Sequence, residues 1–137
     1  MGRIVAIDFG LKRIGIAISD DRKKIAFPLE TVPGGKRAVE NIRKALGPKG
    51  NEVERILIGL PLLMSGREGD MALMVRKFAA ELEKAFEVPV EPIDERLSSK
   101  IADQSLRAIQ LNRKKRTENM DTTAAAILLQ TYLDNML

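Results

Sequence analysis

The chain has 137 residues, 45% of them apolar and 31% charged, which fits one compact globular domain with a core of its own. It contains no cysteine and no histidine, and Lys plus Arg exceed Asp plus Glu by 23 to 19. Those absences exclude a disulfide framework, Ser-His and Cys-His nucleophiles and most zinc sites; carboxylates, Lys, Arg, hydroxyls and an oxygen-bound Mg²⁺ or Mn²⁺ remain for chemistry. The mild basic excess suits a polyanionic partner such as nucleic acid without demonstrating one.

No apolar stretch is long enough to cross a membrane. Met1-Gly2-Arg3 leads directly into a strand without a signal-peptide pattern, so the expected compartment is the cytoplasm.

In chain order, Arg3 to Phe9 reads as a strand buried on both faces, because the apolar run Ile4-Val5-Ala6-Ile7 barely alternates. Gly10-Leu11-Lys12 is a tight connection. Arg13 to Ser19 is a second, antiparallel strand with Ile14, Ile16 and Ile18 on one face. Asp20 to Lys23 makes the next turn, and Lys24 to Val32 a third strand in which Pro28 is a candidate break. Pro33-Gly34-Gly35 ends this meander. Lys36 to Leu46 reads as a helix stopped by Gly47-Pro48, and Arg55 to Leu60 as a fourth strand closed by Pro61.

Arg67 to Phe86 has the period of a long amphipathic helix, with Met71, Met74, Val75, Phe78, Ala79, Leu82 and Phe86 on its core side. Val88 to Ile93 is the fifth strand. Ser98 is a candidate cap for a helix through Ile101, Leu106 and Ile109, Asn112 to Asn119 is a basic loop, and Asp121 to Met136 is the last helix. The order predicts an α/β fold: a single domain over 1–137 whose fourth and fifth strands run parallel to the first.

Acidic residues stand where such a sheet binds ligands, beyond the carboxyl ends of its strands. Asp8 interrupts the first apolar run, Asp94-Glu95 follow the fifth strand, and Asp121 precedes the last helix. A carboxylate at the end of a buried strand is costly unless a positive group meets it, so these sites together suggest one shared cation. Asp94 and Glu95 are adjacent and point to opposite faces, so one of them joins Asp8. Asp121 also fits a helix N-cap, and two carboxylate oxygens allow both roles. Lys12-Arg13 and the run Arg113-Lys114-Lys115-Arg116 are candidate phosphate contacts; aromatic residues, at 4%, supply little material for base stacking.

The motifs Asp8-Phe9-Gly10-Leu11-Lys12-Arg13-Ile14-Gly15, Gly59-Leu60-Pro61, Asp94-Glu95-Arg96-Leu97-Ser98 and Asp121-Thr122-Thr123-Ala124-Ala125-Ala126 occur in register over nearly the whole chain. Together they resemble the YqgF family, whose bacterial members are named as pre-16S rRNA nucleases or Holliday junction resolvases. The resemblance implies an RNase H-like fold: a five-stranded mixed sheet with an antiparallel meander of strands one to three, flanked by helices.

It further implies a hydrolase, a phosphodiester endonuclease in which Asp8, Glu95 rather than Asp94, and Asp121 hold Mg²⁺ or Mn²⁺. Arg96 joins Lys12, Arg13 and the basic loop as a nucleic-acid contact. The implied substrate is the 5′ end of pre-16S rRNA in ribosome biogenesis, with branched DNA as the alternative. Junction cleavage would call for a homodimer, since two coordinated sites are needed. Two rival readings are a nuclease-like fold that only binds nucleic acid, and a nucleotide-binding ATPase suggested by Asp8-Phe9-Gly10 and the hairpin after it. The chain departs from the family pattern after Gly59-Leu60-Pro61: the family loop usually carries Asn and Asp near its start, and here it reads Leu62-Leu63-Met64-Ser65-Gly66.

Overall fold

The computed structural model describes residues 2–63, 65–94 and 120–135, with Met120 and Asp121 described by backbone only. The elements are β1 (Arg3–Asp8), β2 (Arg13–Ser19), β3 (Ala26–Pro33), α1 (Ala38–Leu46), β4 (Val53–Leu60), α2 (Asp70–Phe86), β5 (Val90–Asp94) and α3 (Met120–Asp134). One mixed sheet holds the strands in the order β3-β2-β1-β4-β5. β2 is antiparallel to both β1 and β3, while β4 is parallel to β1 and β5 to β4. The expected helix from Ser98 lies outside the described residues.

The non-alternating run in β1 has a direct cause: it is the central strand, covered on both faces. Val5 and Ile7 join Ile14, Ile16, Ile18, Ile56 and Ile58 against α1 and α2. Ile4 and Ala6 join Ala17 and Leu57 under Ala125, Leu128, Leu129 and Leu133 of α3. Each fully buried isoleucine contributes roughly 1.5–3 kcal/mol of transfer free energy, so the first face carries most of the apolar stabilisation. The second face is built of smaller residues near α3.

Three expectations change. Pro28 does not break β3. The register shifts between Ile16 and Ala17, whose partners are Glu30 and Pro28, so Leu29 is the extra residue of a bulge and the strand continues past the proline. Gly47-Pro48 does end α1, but the chain goes straight into a 3₁₀ helix, Gly47–Glu52. On α2 the buried stripe is Ala72, Val75, Phe78, Ala79 and Leu82, and Met74 is exposed. Met74 sits one turn before Phe78 yet on the flank of that stripe, where a helical step of about 100° turns its side chain outward.

Candidate active site at the carboxyl rim

Asp8 is the last residue of β1 and is half-buried. Its position along the strand matches Ile4 and Ala6, so its side chain belongs to the α3 face, whereas Phe9 packs on the opposite face with its ring 4.8 Å from that of Phe78 in α2. The residue paired with Asp8 on β2 is Gly15. On the other side, Ile7 pairs with Ile58, which puts Gly59 level with Asp8, and Gly59 shares the face of Leu57. Asp8 therefore has a glycine beside it on each neighbouring strand, and neither contributes a side chain next to the carboxylate.

The turn that follows has little freedom. A Cβ on Gly10 would lie 2.4 Å from the Arg13 carbonyl oxygen. Lys12 and Arg13 are exposed at the end of this turn, on the same rim as Asp8.

Helix α3 reaches the same rim. Gln130 fixes its C-terminal half to the β2–β3 hairpin at the far end of the sheet: its Oε1 accepts from the Ala26 amide at 2.9 Å and its Nε2 donates to the Lys24 carbonyl at 2.9 Å. The helix lies along β2, β3 and β1. The nine helical steps from Gln130 back to Asp121 span about 13 Å, close to the rise of β1 from Ile4 to Asp8. The backbone of Asp121, in the first turn of α3, is thus carried to the end of the sheet that Asp8 occupies.

Asp94 ends β5 in register with Leu60. Both share the face of Val90 and Ile58, so Asp94 points to the α1/α2 side and away from Asp8. Glu95, Arg96, Arg113, Lys114, Lys115 and Arg116 lie outside the described residues, as does the side chain of Asp121. Among the described residues no group of three carboxylates is assembled.

Two features were missed in the sequence. Glycines 15 and 59 could have been found from strand pairing, because each is two residues from a core position on the Asp8 face. The basic pair Lys36-Arg37 emerges at the same rim, directly after the meander, and its signal was its place three residues past the end of β3.

Residues 2–135 match the family described as RuvX: Holliday junction resolvase. The chain belongs to this family, the YqgF family of the sequence resemblance. A protein of Protochlamydia amoebophila is 46% identical over 97% of this chain and 93% of its own length, and is named "Putative pre-16S rRNA nuclease". A protein of Chloroflexus aggregans with the same name is 41% identical over 96% of this chain and 92% of its own. Among solved structures, Thermus thermophilus RuvC in complex with a Holliday junction substrate superposes with a TM-score of 0.53 over 98% of both chains. At 13% identity that likeness concerns the fold, which is the RNase H-like fold. Membership in a nuclease and resolvase family makes this RuvX-family protein a hydrolase of phosphodiester bonds with nucleic acid as substrate.

Proposed function

We propose that this RuvX-family protein is an endonuclease dependent on a divalent cation, and that it processes the 5′ end of pre-16S rRNA in the cytoplasm. The observation that carries the reading is the convergence of Asp8 and the first turn of α3 on one rim, with glycines beside the carboxylate. The name shared by the full-length relatives supports the RNA substrate.

The donor chemistry fits Mg²⁺ or Mn²⁺. With no His or Cys in the chain, any cation here is held by oxygen. Asp8, Glu95 and Asp121 would hold it. Asp94 faces the other side of the sheet from Asp8, which leaves Glu95 as the acid of that pair for the cation. A cation bound there supplies a water of lowered pKa and charge stabilisation at phosphorus. The chain's own part is to fix the carboxylates through the buried β1 strand and α3, and to hold the phosphodiester with Lys12, Arg13, Arg96 and the 113–116 run. Arginine and lysine contacts of this kind position a backbone without reading bases.

The family description favours a second reading, resolution of four-way DNA junctions, which would require two coordinated sites and hence a dimer. One experiment separates these readings. Wild type and Asp8→Asn are incubated with Mn²⁺ or Mg²⁺ on a labelled pre-16S 5′ leader RNA and on a four-way DNA junction. The expected outcome is cleavage of the RNA by wild type alone, abolished by EDTA. Asp8→Asn should lower the rate by more than about 100-fold, beyond the 10–100-fold that loss of a group behind a metal ligand costs. Cleavage that persists in EDTA would sink the metal-dependent mechanism, and cleavage of the junction alone would transfer the assignment to DNA.

A further inference from the structure

The antiparallel meander brings a second loop to the rim of Asp8. β3 runs in the same direction as β1, so the chain leaves β3 where β1 ends. Arg13, the first residue of β2, pairs with Pro33, the last of β3. The amide of Gly34 then donates to the Lys12 carbonyl at 3.0 Å. A Cβ at Gly34 would stand 2.6 Å from the Leu11 carbonyl oxygen and 3.0 Å from that of Gly10. Neither oxygen belongs to a flexible side chain, so only glycine permits this approach. The β1–β2 turn and the β3–α1 connection are therefore locked together as one surface.

That surface is strongly basic. Lys12 and Arg13 come from the first loop, and Lys36 and Arg37 from the second, all exposed. Lys12, Lys36 and Arg37 enter no ion pair among the described residues. Glu40 is the acidic residue in the first turn of α1, leaving a clear positive excess. β3 lies two strand spacings from β1, roughly 10 Å.

We infer that Lys36 and Arg37 are a second phosphate-binding element, gripping the sugar–phosphate backbone of the nucleic-acid substrate to one side of the point of cleavage. The inference rests on the nuclease reading for its cleavage point, while the binding itself is measured separately.

The test is fluorescence anisotropy of the full chain with the labelled 5′ leader RNA and with the four-way junction, over a series of salt concentrations without divalent ions. Each phosphate contact contributes roughly 0.7–0.9 to the slope of log K against log salt. The double variant Lys36→Ala/Arg37→Ala should lower that slope by roughly 1.4–1.8. Lys49→Ala/Lys84→Ala removes the same charge from the 3₁₀ helix and the last turn of α2, at the opposite rim, and should leave the slope near the wild-type value. Gly34→Ala removes no charge, yet should weaken binding several-fold with far-ultraviolet circular dichroism unchanged, because it forces the two loops apart.

A wild-type slope in the Lys36/Arg37 variant would overturn the inference, and so would an equal drop in the Lys49/Lys84 variant. Binding that depends on Lys36 and Arg37 without cleavage would uphold the loop and sink the nuclease reading. Cleavage with an unchanged slope would do the reverse. A wild type that binds neither nucleic acid would overturn both.

Discussion

The two rims of the sheet differ in how much of their charge is matched within the protein. Where β1, β4 and β5 begin, charges are matched within the protein. Arg3 lies 3.5 Å from Glu52 and donates to the Ser19 carbonyl at 3.0 Å, Lys23 pairs with Glu54, and Arg55 lies 3.5 Å from Glu91. Where the same strands end, Glu68 pairs with Arg76, but Lys12, Lys36 and Arg37 stand exposed with no ion pair among the described residues, on the rim that also carries the half-buried Asp8. The difference teaches where to look for function. Charges satisfied by each other hold elements in place, whereas exposed cations gathered at one end, with no ion pair among the described residues, can meet the phosphates of a ligand. The residue sizes agree: isoleucines fill the face under α1 and α2, while glycines flank Asp8 on the other.

The sharpest way to break this contrast is within β4 alone, where two adjacent residues face opposite sides. Gly59→Leu adds four carbons next to Asp8 on the α3 face, and Ile58→Ala removes core volume from the α1/α2 face. Gly59→Leu should cut cleavage by about 100-fold or more, the scale of losing one preorganised electrostatic contact, with the larger part of stability retained. Ile58→Ala should cost about 2–5 kcal/mol in urea unfolding while the folded fraction keeps its specific activity. Comparable activity losses per folded molecule in both variants would show that the rim is not functionally distinct from the core beneath it.

How much of this was legible in the sequence depends on the range of the interactions involved. The antiparallel meander and the parallel strands followed from local patterns: a non-alternating run, short turns and helices between strands. Pro28 was misread because a proline's missing amide forbids a ladder bond at one position, and a bulge can absorb that locally. Met74 was misread because hydropathy alone does not separate the centre of a helical stripe from its flank. Asp8 was legible as an acid within an apolar run. The glycines beside it were not, since their meaning lies in pairing with residues far along the chain. Lys36 and Arg37 were read only as the start of a helix; their proximity to Lys12 arises from the Gly34 amide, a contact across the meander. Alternation told that only one of Asp94 and Glu95 could join Asp8, and the strand's register then showed Asp94 on the other face.

A milder intervention tests the paired rim. Lys23 and Glu54 are partly exposed, at 31% and 45% of their side-chain surface. Exposed pairs of this kind contribute about 0.2–1 kcal/mol, so a double-mutant cycle with Lys23→Ala and Glu54→Ala should return a coupling energy in that range. RNA affinity at fixed salt should stay at the wild-type value in each single variant. A loss of affinity in Lys23→Ala similar to that expected for Lys36 and Arg37 would mean that nucleic acid reaches both rims, and the contrast between them would fail.

The smallest effect lies in the hairpin that joins β2 to β3 at the paired rim. The Asp20 carboxylate accepts from the amides of Lys24 at 2.8 Å and Ile25 at 3.0 Å. The Ile25 amide, then that of Lys24, holds its pKa below the ordinary value of 3.8. The folded pKa being the lower one, protonation is easier in the open hairpin. The stabilisation is therefore fully present above the ordinary carboxylate range and is lost as pH falls through the depressed folded value. Amide exchange at Lys24 and Ile25, followed by nuclear magnetic resonance from about pH 5 down to about pH 2, should show protection relative to the intrinsic rate falling in that acid window. The same amides in Asp20→Ala should be less protected throughout and show no such step. Because Gln130 ties this hairpin to α3, loosening it tests whether the far end of the helix transmits disorder to the Asp8 rim. The apolar seat of α3 on Ile4, Ala6, Ala17 and Leu57 predicts that it does not: cleavage at neutral pH should be the same in Asp20→Ala and in wild type, since that seat does not depend on one part-exposed carboxylate.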